Sequence, residues 1–272
     1  MKNKIKIAFI GCGKLARAMI ESMTNRASVS VLKSNGYVFS ITASSRGEAS
    51  LMPVKHLCHT TLDNAAACDQ ADYVILAVKP QNVGDAIGGL DLKRKVVISV
   101  MAGVPVSELK RLTGSGKIVR VMPNLCAAAG ESFNPYYAEG LSSDEEQVVL
   151  QILGSFGTFC KTDERALDVA AVVSGGGPAY VAMLIRAFET AAVSGGLDPA
   201  LARDMAVQTT LGSALLYERM SGAQEVIDAV CSKGGMTERG VKYLEEHDFD
   251  GLFKGAFNAA HDRVSEMNDE KR

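Results

Sequence analysis

The residues Gly11-Cys12-Gly13-Lys14-Leu15-Ala16 form a GxGxxA turn. It directly follows a β-branched apolar run, Ile5–Ile10, and opens a helical stretch, Leu15–Met23. A glycine pair at this spacing suits anion chemistry. Gly11 permits a tight turn, Gly13 lets a pyrophosphate approach the backbone, and Ala16 keeps helix and strand close. The helix start then offers unpaired N–H groups to the phosphates. On its own the motif is common; between a strand and a helix it points to a dinucleotide.

The end of the second apolar run, Tyr37–Ala43, decides which dinucleotide. An acidic side chain there would hold a ribose 2′-hydroxyl. This chain reads Thr42-Ala43-Ser44-Ser45-Arg46, with Glu48 beyond the strand end. Hydroxyls and a guanidinium suit a 2′-phosphate, because arginine offers two charge-assisted hydrogen bonds. NADPH is therefore the expected cofactor, with NADH as the second possibility.

Other catalytic constellations are missing. The four histidines, at 56, 59, 247 and 261, lie in no glycine-rich or strand-end context, and no GxSxG, HExxH or phosphate-loop lysine motif occurs. The cysteines at 12, 58, 68, 126, 160 and 231 form no CxxC pair, so neither a zinc site nor a disulfide framework is expected. Hydride transfer to an already protonated imine needs no acid–base dyad, since the nicotinamide carries the hard chemistry.

The elements that must position these residues follow from periodicity. Further strands are expected at Tyr73–Val78, Val96–Val100, Ile118–Val121 and Thr158–Cys160, and helices at Val83–Gly88, Val106–Leu112 and Ser143–Phe156. Apolar runs without polar alternation belong to a parallel sheet covered on both faces. The expected fold is thus α/β: a Rossmann domain, doubly wound around a mainly parallel sheet, over residues 1–162. Residues 163–272 contain no convincing strand and read as an all-helical domain. There, Pro178 after a glycine run reads as an N1 proline starting a helix that Gly195-Gly196 ends, and Asp198-Pro199 opens a second helix to about Met220. Shorter helices are expected at Ala223–Val230, Glu238–Glu246 and Asp250–Glu266. The helix Pro178–Val193 is apolar round most of its circumference and needs cover, from a second subunit or from the Rossmann domain.

Composition narrows the partners. Lys+Arg 29 against Asp+Glu 31 gives a net charge of -2, so no basic excess calls for nucleic acid or an anionic membrane. No apolar stretch reads as long enough to span a bilayer, and the short apolar run at the N-terminus breaks at once into the glycine turn. A cytoplasmic enzyme is expected.

The stretches VILAVKPQ (Val74–Gln81), VVISVMAGV (Val96–Val104), VRVMPN (Val119–Asn124), SGGGPAY (Ser174–Tyr180) and SKGGMT (Ser232–Thr237) follow the glycine turn in order. With them the chain, from about Lys4 to Glu266, resembles the pyrroline-5-carboxylate reductase family, which reduces Δ1-pyrroline-5-carboxylate to L-proline with NADPH or NADH. The resemblance implies that Gly11, Cys12, Gly13, Lys14 and Leu15 hold the pyrophosphate, and that Ser44, Ser45 and Arg46 meet the 2′-phosphate. It implies Asn64 near the adenosine part, and Ala77, Val78, Lys79, Pro80, Met101, Ala102, Gly103 and Asn124 along the nicotinamide half. It further implies that Ser232, Gly234, Gly235, Met236 and Thr237 form the loop that grips the substrate carboxylate through backbone N–H groups. Thr237, as the catalytic hydroxyl, would hydrogen-bond the ring nitrogen. As a plain structural reading, Thr237 could instead be the N-cap of the next helix. Homodimers or larger homo-oligomers through the C-terminal helices are implied as well.

Three places depart from the family pattern. Gly176 replaces the middle serine of SGSGPAY, Leu125 and Cys126 replace Thr-Pro after PN, and Lys233 replaces the proline of SPGG. Losing that proline loosens the loop. These changes leave open a related imine reductase acting on a different ring, or a cofactor-binding protein without turnover. A hydroxyacid dehydrogenase of similar architecture would need a lysine or histidine acid–base in the helical half, and none is evident.

Overall fold

The unbroken apolar runs become the centre of one sheet in the computed structural model, which describes residues 3–269. Its strands are β1 (Asn3–Ile10), β2 (Tyr37–Ser44), β3 (His59–Thr61), β4 (Tyr73–Leu76), β5 (Val96–Ser99), β6 (Ile118–Val121), β7 (Ser132–Glu139) and β8 (Gly157–Lys161). They run in the order β3-β2-β1-β4-β5-β6-β7-β8, parallel throughout except where β7 meets β6. Around and between them lie α1 (Lys14–Thr24), α2 (Arg26–Ser34), α3 (Glu48–Leu51), α4 (Asn64–Asp69), α5 (Val83–Ile87), α6 (Val106–Thr113) and α7 (Ser143–Gly154). After β8 come α8 (Glu164–Ala170), α9 (Gly176–Ser194), α10 (Pro199–Tyr217), α11 (Ala223–Val230), α12 (Met236–Glu246) and α13 (Phe249–Asp269). A Rossmann sheet followed by helices is the architecture the sequence implies.

Burial on both sheet faces explains why those runs lack polar alternation. Ile7 and Phe9 of β1 join one core cluster with Ile75, Ile98, Val119 and Val121. The intervening Ala8 and Ile10 join a second cluster with Val74, Leu76, Val97 and Ile118 on the other face. Each fully buried Val, Leu, Ile or Phe contributes about 1.5–3 kcal/mol, so the apolar positions on both faces of these short strands are stabilising.

Contacts divide the chain into two compact units: residues up to Gly176 with those from His261 onward, and Gly177–Ala260. The boundary drawn from sequence, after residue 162, falls just past β8. The next helix, α8, is nevertheless fastened to the sheet. Arg120 of β6 is buried, and its guanidinium meets Glu164 at 2.8 Å and Asp168 at 3.2 Å, both on α8. The same Glu164 oxygen accepts the Val106 N–H, at the start of α6, at 2.7 Å.

Two expectations are corrected beyond α8. Pro178 does not begin a helix. The chain is helical from Glu164 to Ser194, passing through a π turn at Ala171–Gly175. Inside a helix, proline removes an N–H and crowds the carbonyl four residues back, here that of Ser174. The π turn makes room for that carbonyl, and the Asn124 amide donates to it at 3.0 Å in place of the missing N–H. The same continuity overturns the expectation that no apolar stretch could span a bilayer. By length and composition alone, Glu164–Ser194 is long and apolar enough; breaking it at the glycine run hid this.

Arg120 allows a test of how the sheet holds α8. Its side chain is 3% exposed, whereas those of Glu164 and Asp168 are 31% and 32% exposed and can be hydrated if left alone. Removing both carboxylates (E164A/D168A) strands a buried cation and is expected to cost about 3–5 kcal/mol. R120M should cost clearly less. Urea unfolding of the two variants measures the difference, and an equal or reversed order would refute it.

Candidate functional site

The site begins where strand order reverses. β1 has β2 on one side and β4 on the other, so the loops after β1 and β4 leave in opposite directions and open a crevice at the carboxyl edge. Gly11 follows β1 with φ +93, and a Cβ there would lie 2.6 Å from the Ala77 carbonyl oxygen and 2.8 Å from Val78 Cγ1. Only glycine allows the turn to pass this close to the end of β4. The Gly11 N–H donates to the Ser44 carbonyl at 3.1 Å, and the Ala77 N–H to that of Ile10 at 2.9 Å, locking the three strand ends together.

The turn fits a pyrophosphate. Gly13 is the N-cap of α1, no side chain caps it, and the first turn of α1 holds no acidic residue. A Cβ on Gly13 would meet nothing within 4 Å, so the space in front of the helix start is open. Uncapped N–H groups facing open space with no competing carboxylate form an anion cradle. Lys14 is exposed beside it and Leu15 half-buried. Cys12 is buried in the turn, and burial raises its thiol pKa, partly offset by the Arg17 charge. A neutral thiol there adds no negative charge beside the phosphates.

The second strand end separates the three candidates for the 2′-phosphate. Ser44 is buried, and its hydroxyl donates to the Phe9 carbonyl at 3.1 Å. Its side chain therefore braces β1 against β2 and does not face outward. Ser45 is half-buried and Arg46 exposed, at the tip of the loop. Asn64, the first residue of α4, donates its amide to the Ala86 carbonyl at 2.8 Å, tying α4 to α5. Lys79 is exposed, and Pro80 begins a short 3₁₀ turn after β4. Met101 and Gly103 are buried and Ala102 half-buried in the loop after β5.

Asn124 follows β6 and is buried, with both ends of its amide engaged. Its oxygen accepts the Cys126 N–H at 2.8 Å, and its nitrogen donates to the Ser174 carbonyl and hydroxyl, each at 3.0 Å. Its own N–H donates to the Ser132 hydroxyl at 2.9 Å, and that hydroxyl donates to Asn134 Oδ1 at 2.7 Å. Asn134 in turn donates to the Leu153 carbonyl at 3.2 Å. Ser132 and Asn134 were not singled out in the sequence, and Ser174 only as the head of the SGGGPAY stretch, yet all three hold Asn124 in place. Asn124 thus fixes the loop after β6 through its side chain.

The second group of candidate residues lies on Gly177–Ala260. Gly234 has φ +75, and Gly235 is the N-cap of α12 with no side-chain cap. A Cβ on Gly235 would lie 2.5 Å from Ser232 Oγ and 2.8 Å from the Ser232 carbonyl oxygen, so the loop closes this tightly only with glycine. Thr237 is the second residue of α12, not its N-cap, which leaves its hydroxyl free of the capping role. Met236 and Lys233 are exposed.

A cavity of about 240 Å³, lined by Met23, Leu32, Tyr37, Phe39, Ile41 and Leu57, lies beside the amino-terminal half of β2. It is remote from the carboxyl edge and from this chemistry.

A glycine turn with an open helix start at the switch point, on a Rossmann sheet followed by helices, defines a dinucleotide-dependent oxidoreductase. Comparisons with known proteins narrow the class. Residues 164–267 match the model described as pyrroline-5-carboxylate reductase dimerisation, and residues 6–103 that described as NADP oxidoreductase, coenzyme F420-dependent. The chain is 31% identical over 271 residues to a pyrroline-5-carboxylate reductase of Arabidopsis thaliana, covering 98% of this chain and 96% of that one. It is 33% identical over 276 residues to one of Methanosarcina acetivorans, covering 98% and 99%. Among solved structures it is similar to the Plasmodium falciparum pyrroline carboxylate reductase with NADP bound, at TM-score 0.85 and 26% identity, covering 97% of this chain and 99% of that one. This chain belongs to the pyrroline-5-carboxylate reductase family.

Three thiols give a prediction, those of Cys12 and Cys68 buried and that of Cys58 half-buried. Cys58 and Cys68 are both pushed up to about 11 by burial, and Cys12 is raised for the same reason. A raised pKa keeps the thiol protonated, so at pH 8 a pKa near 11 leaves a thiolate fraction of about one in a thousand. Cys12, Cys58 and Cys68 should resist iodoacetamide at pH 8 in the folded protein and react on unfolding, as read by mass spectrometry. Labelling of Cys12 at the rate of a free thiol would contradict the buried turn.

Proposed function

We propose that the protein reduces Δ1-pyrroline-5-carboxylate to L-proline with NADPH, as a homodimer or larger homo-oligomer in the cytoplasm. The observation that carries this reading is the family relationship across almost the whole chain, which joins the open glycine turn and the Ser232–Thr237 loop in one protein. NADPH, when bound, supplies the hydride. Gly11, Cys12, Gly13, Lys14 and Leu15 hold its pyrophosphate, and Ser45 and Arg46 its 2′-phosphate. Ser44 acts there by bracing the strand end. Asn64 lies toward the adenosine, and Ala77, Val78, Lys79, Pro80, Met101, Ala102 and Gly103 line the nicotinamide half over the floor held by Asn124. Ser232, Gly234, Gly235 and Met236 grip the substrate carboxylate, and Thr237 hydrogen-bonds the ring nitrogen.

Subunit association has its own support. α9 buries none of its residues, and Val181, Met183 and Phe188 on it are exposed, as are Leu201, Met205, Leu211 and Leu215 of α10. An apolar surface of this kind marks an interface. Residues 163–272 form the helical substrate and dimerisation part of this reading, and the exposed surface of Glu164–Ser194 goes to a second subunit and not to lipid. The six free cysteines fit a reducing compartment.

The reading is tested by NADPH oxidation against a panel of cyclic imines. Δ1-pyrroline-5-carboxylate should give the highest kcat/KM, and a better six-membered or 2-carboxylate imine would shift the assignment to another imine reductase. R46A should weaken NADPH binding tenfold or more and leave NADH nearly unchanged, because arginine supplies about 1.4 kcal/mol or more to the 2′-phosphate. Equal losses for both cofactors would remove Arg46 from that role. G235V should raise the KM for the imino acid with NADPH binding intact. T237A should lower kcat without a capping loss in stability, whereas T237S keeps the hydroxyl and retains turnover. Wild-type turnover by T237A would relocate the substrate site.

A further inference from the structure

The loop Ser232–Thr237 already holds a carboxylate of its own. Glu238, on the first turn of α12, accepts the Gly234 N–H at 2.7 Å. The next donor, the Gly235 N–H, is engaged at 2.8 Å by the Ser232 carbonyl, a backbone contact that closes the loop. Of these two glycine amides, only that of Gly234 is held by a side chain, and a side chain can leave. We propose that Glu238 is an internal competitor for the substrate carboxylate. It occupies the Gly234 amide in the free protein, and residue 238 thereby sets the affinity of the loop for the imino acid. This rests on the assignment of the loop as the carboxylate site.

The chemistry of exchange is balanced. One carboxylate replaces another on the same N–H, and no proton moves. Glu238 is exposed, so it swings into water without a desolvation cost. The helix start favours a negative charge whether it belongs to Glu238 or to the substrate, but two carboxylates there repel each other. Affinity is therefore reduced by the fraction of time the position is taken. An occupancy of about four-fifths would raise the apparent KM about fivefold.

The molecule contains its own control. Glu225 makes the same contact at the start of α11, accepting the Ser221 N–H at 2.6 Å four residues earlier, in a segment with no part in the proposed chemistry. E238Q and E225Q each replace an ionised acceptor with a neutral one of the same shape and weaken a helix start similarly. Steady-state kinetics of the full-length protein, with NADPH saturating, separate capping from competition. E238Q should lower the KM for Δ1-pyrroline-5-carboxylate about threefold or more and tighten product inhibition by L-proline in parallel, with the KM for NADPH unchanged. E225Q should move none of these. If glutamine itself competes, E238Q leaves the KM unchanged and E238A still lowers it. An unchanged or raised KM in both E238Q and E238A overturns the proposal. G235V distinguishes the failures. If it raises the imino-acid KM while the Glu238 variants do not lower it, the loop is the substrate site and only the competitor is wrong. If G235V also leaves KM untouched, the loop assignment has failed.

Discussion

The carboxyl edge of the sheet, from β5 to β6, depends on a buried guanidinium. Arg120 stands in the middle of β6, where a parallel sheet covered on both faces has little tolerance for charge. It is kept because Glu164 and Asp168 come down from α8 to meet it. Burying an unpaired arginine would cost several kcal/mol, so the ion pairs oblige α8 to sit against the sheet. Two further contacts follow from that obligation. Glu164 holds the Val106 N–H, which fixes the far end of the loop carrying Met101, Ala102 and Gly103. Continuation of α8 into the π turn brings Ser174 to Asn124, which fixes the loop after β6. The loops after β5 and β6 are thus held from behind, by groups that do not need to touch a cofactor.

Much of this was legible in the sequence, for a physical reason that differs element by element. β1, β4, β5 and β6 declare themselves because burial on both faces demands unbroken apolar residues. β7 does not. It contains Pro135 and opens with Ser132 and Asn134, polar residues that are buried because they serve the network behind Asn124. A proline and two polar residues read as a loop to any rule based on periodicity. β3, only His59–Thr61, is too short to show a period at all. α8 was missed for the opposite reason. Its helical signal runs into Gly175-Gly176-Gly177, and glycine followed by proline reads as a break unless one knows that Asn124 satisfies the carbonyl that Pro178 leaves free.

The site residues divide along the same line. Gly11 reads from the sequence as a tight-turn glycine and has φ +93 in the structure, because a glycine demanded by close approach keeps its meaning in any surroundings; Gly235 is required by the close approach of Ser232, which the sequence did not show. Side chains did not transfer as well. Ser44 belongs to a hydroxyl-rich strand end, but its direction depends on β-strand alternation, which turns its hydroxyl to the Phe9 carbonyl, while Ser45 is half-buried and Arg46 exposed. The alternative reading of Thr237 as an N-cap fails because Gly235 is the N-cap and the helix, starting at Met236, places Thr237 inside the first turn. Sequence spacing carries backbone geometry well. It carries side-chain direction only where the element boundary is known to the residue.

The two glycine turns are one physical device in two states. Both present backbone N–H groups at the start of a helix, and both require glycine because the chain approaches itself within a van der Waals diameter. Ahead of α1 nothing acidic follows, so the donors stay open. Ahead of α12 a glutamate follows at once and takes a donor for itself. An open helix start can take an arriving anion directly, whereas one already held by a carboxylate must first release it, and a single acidic residue in the first turn is enough to make that difference.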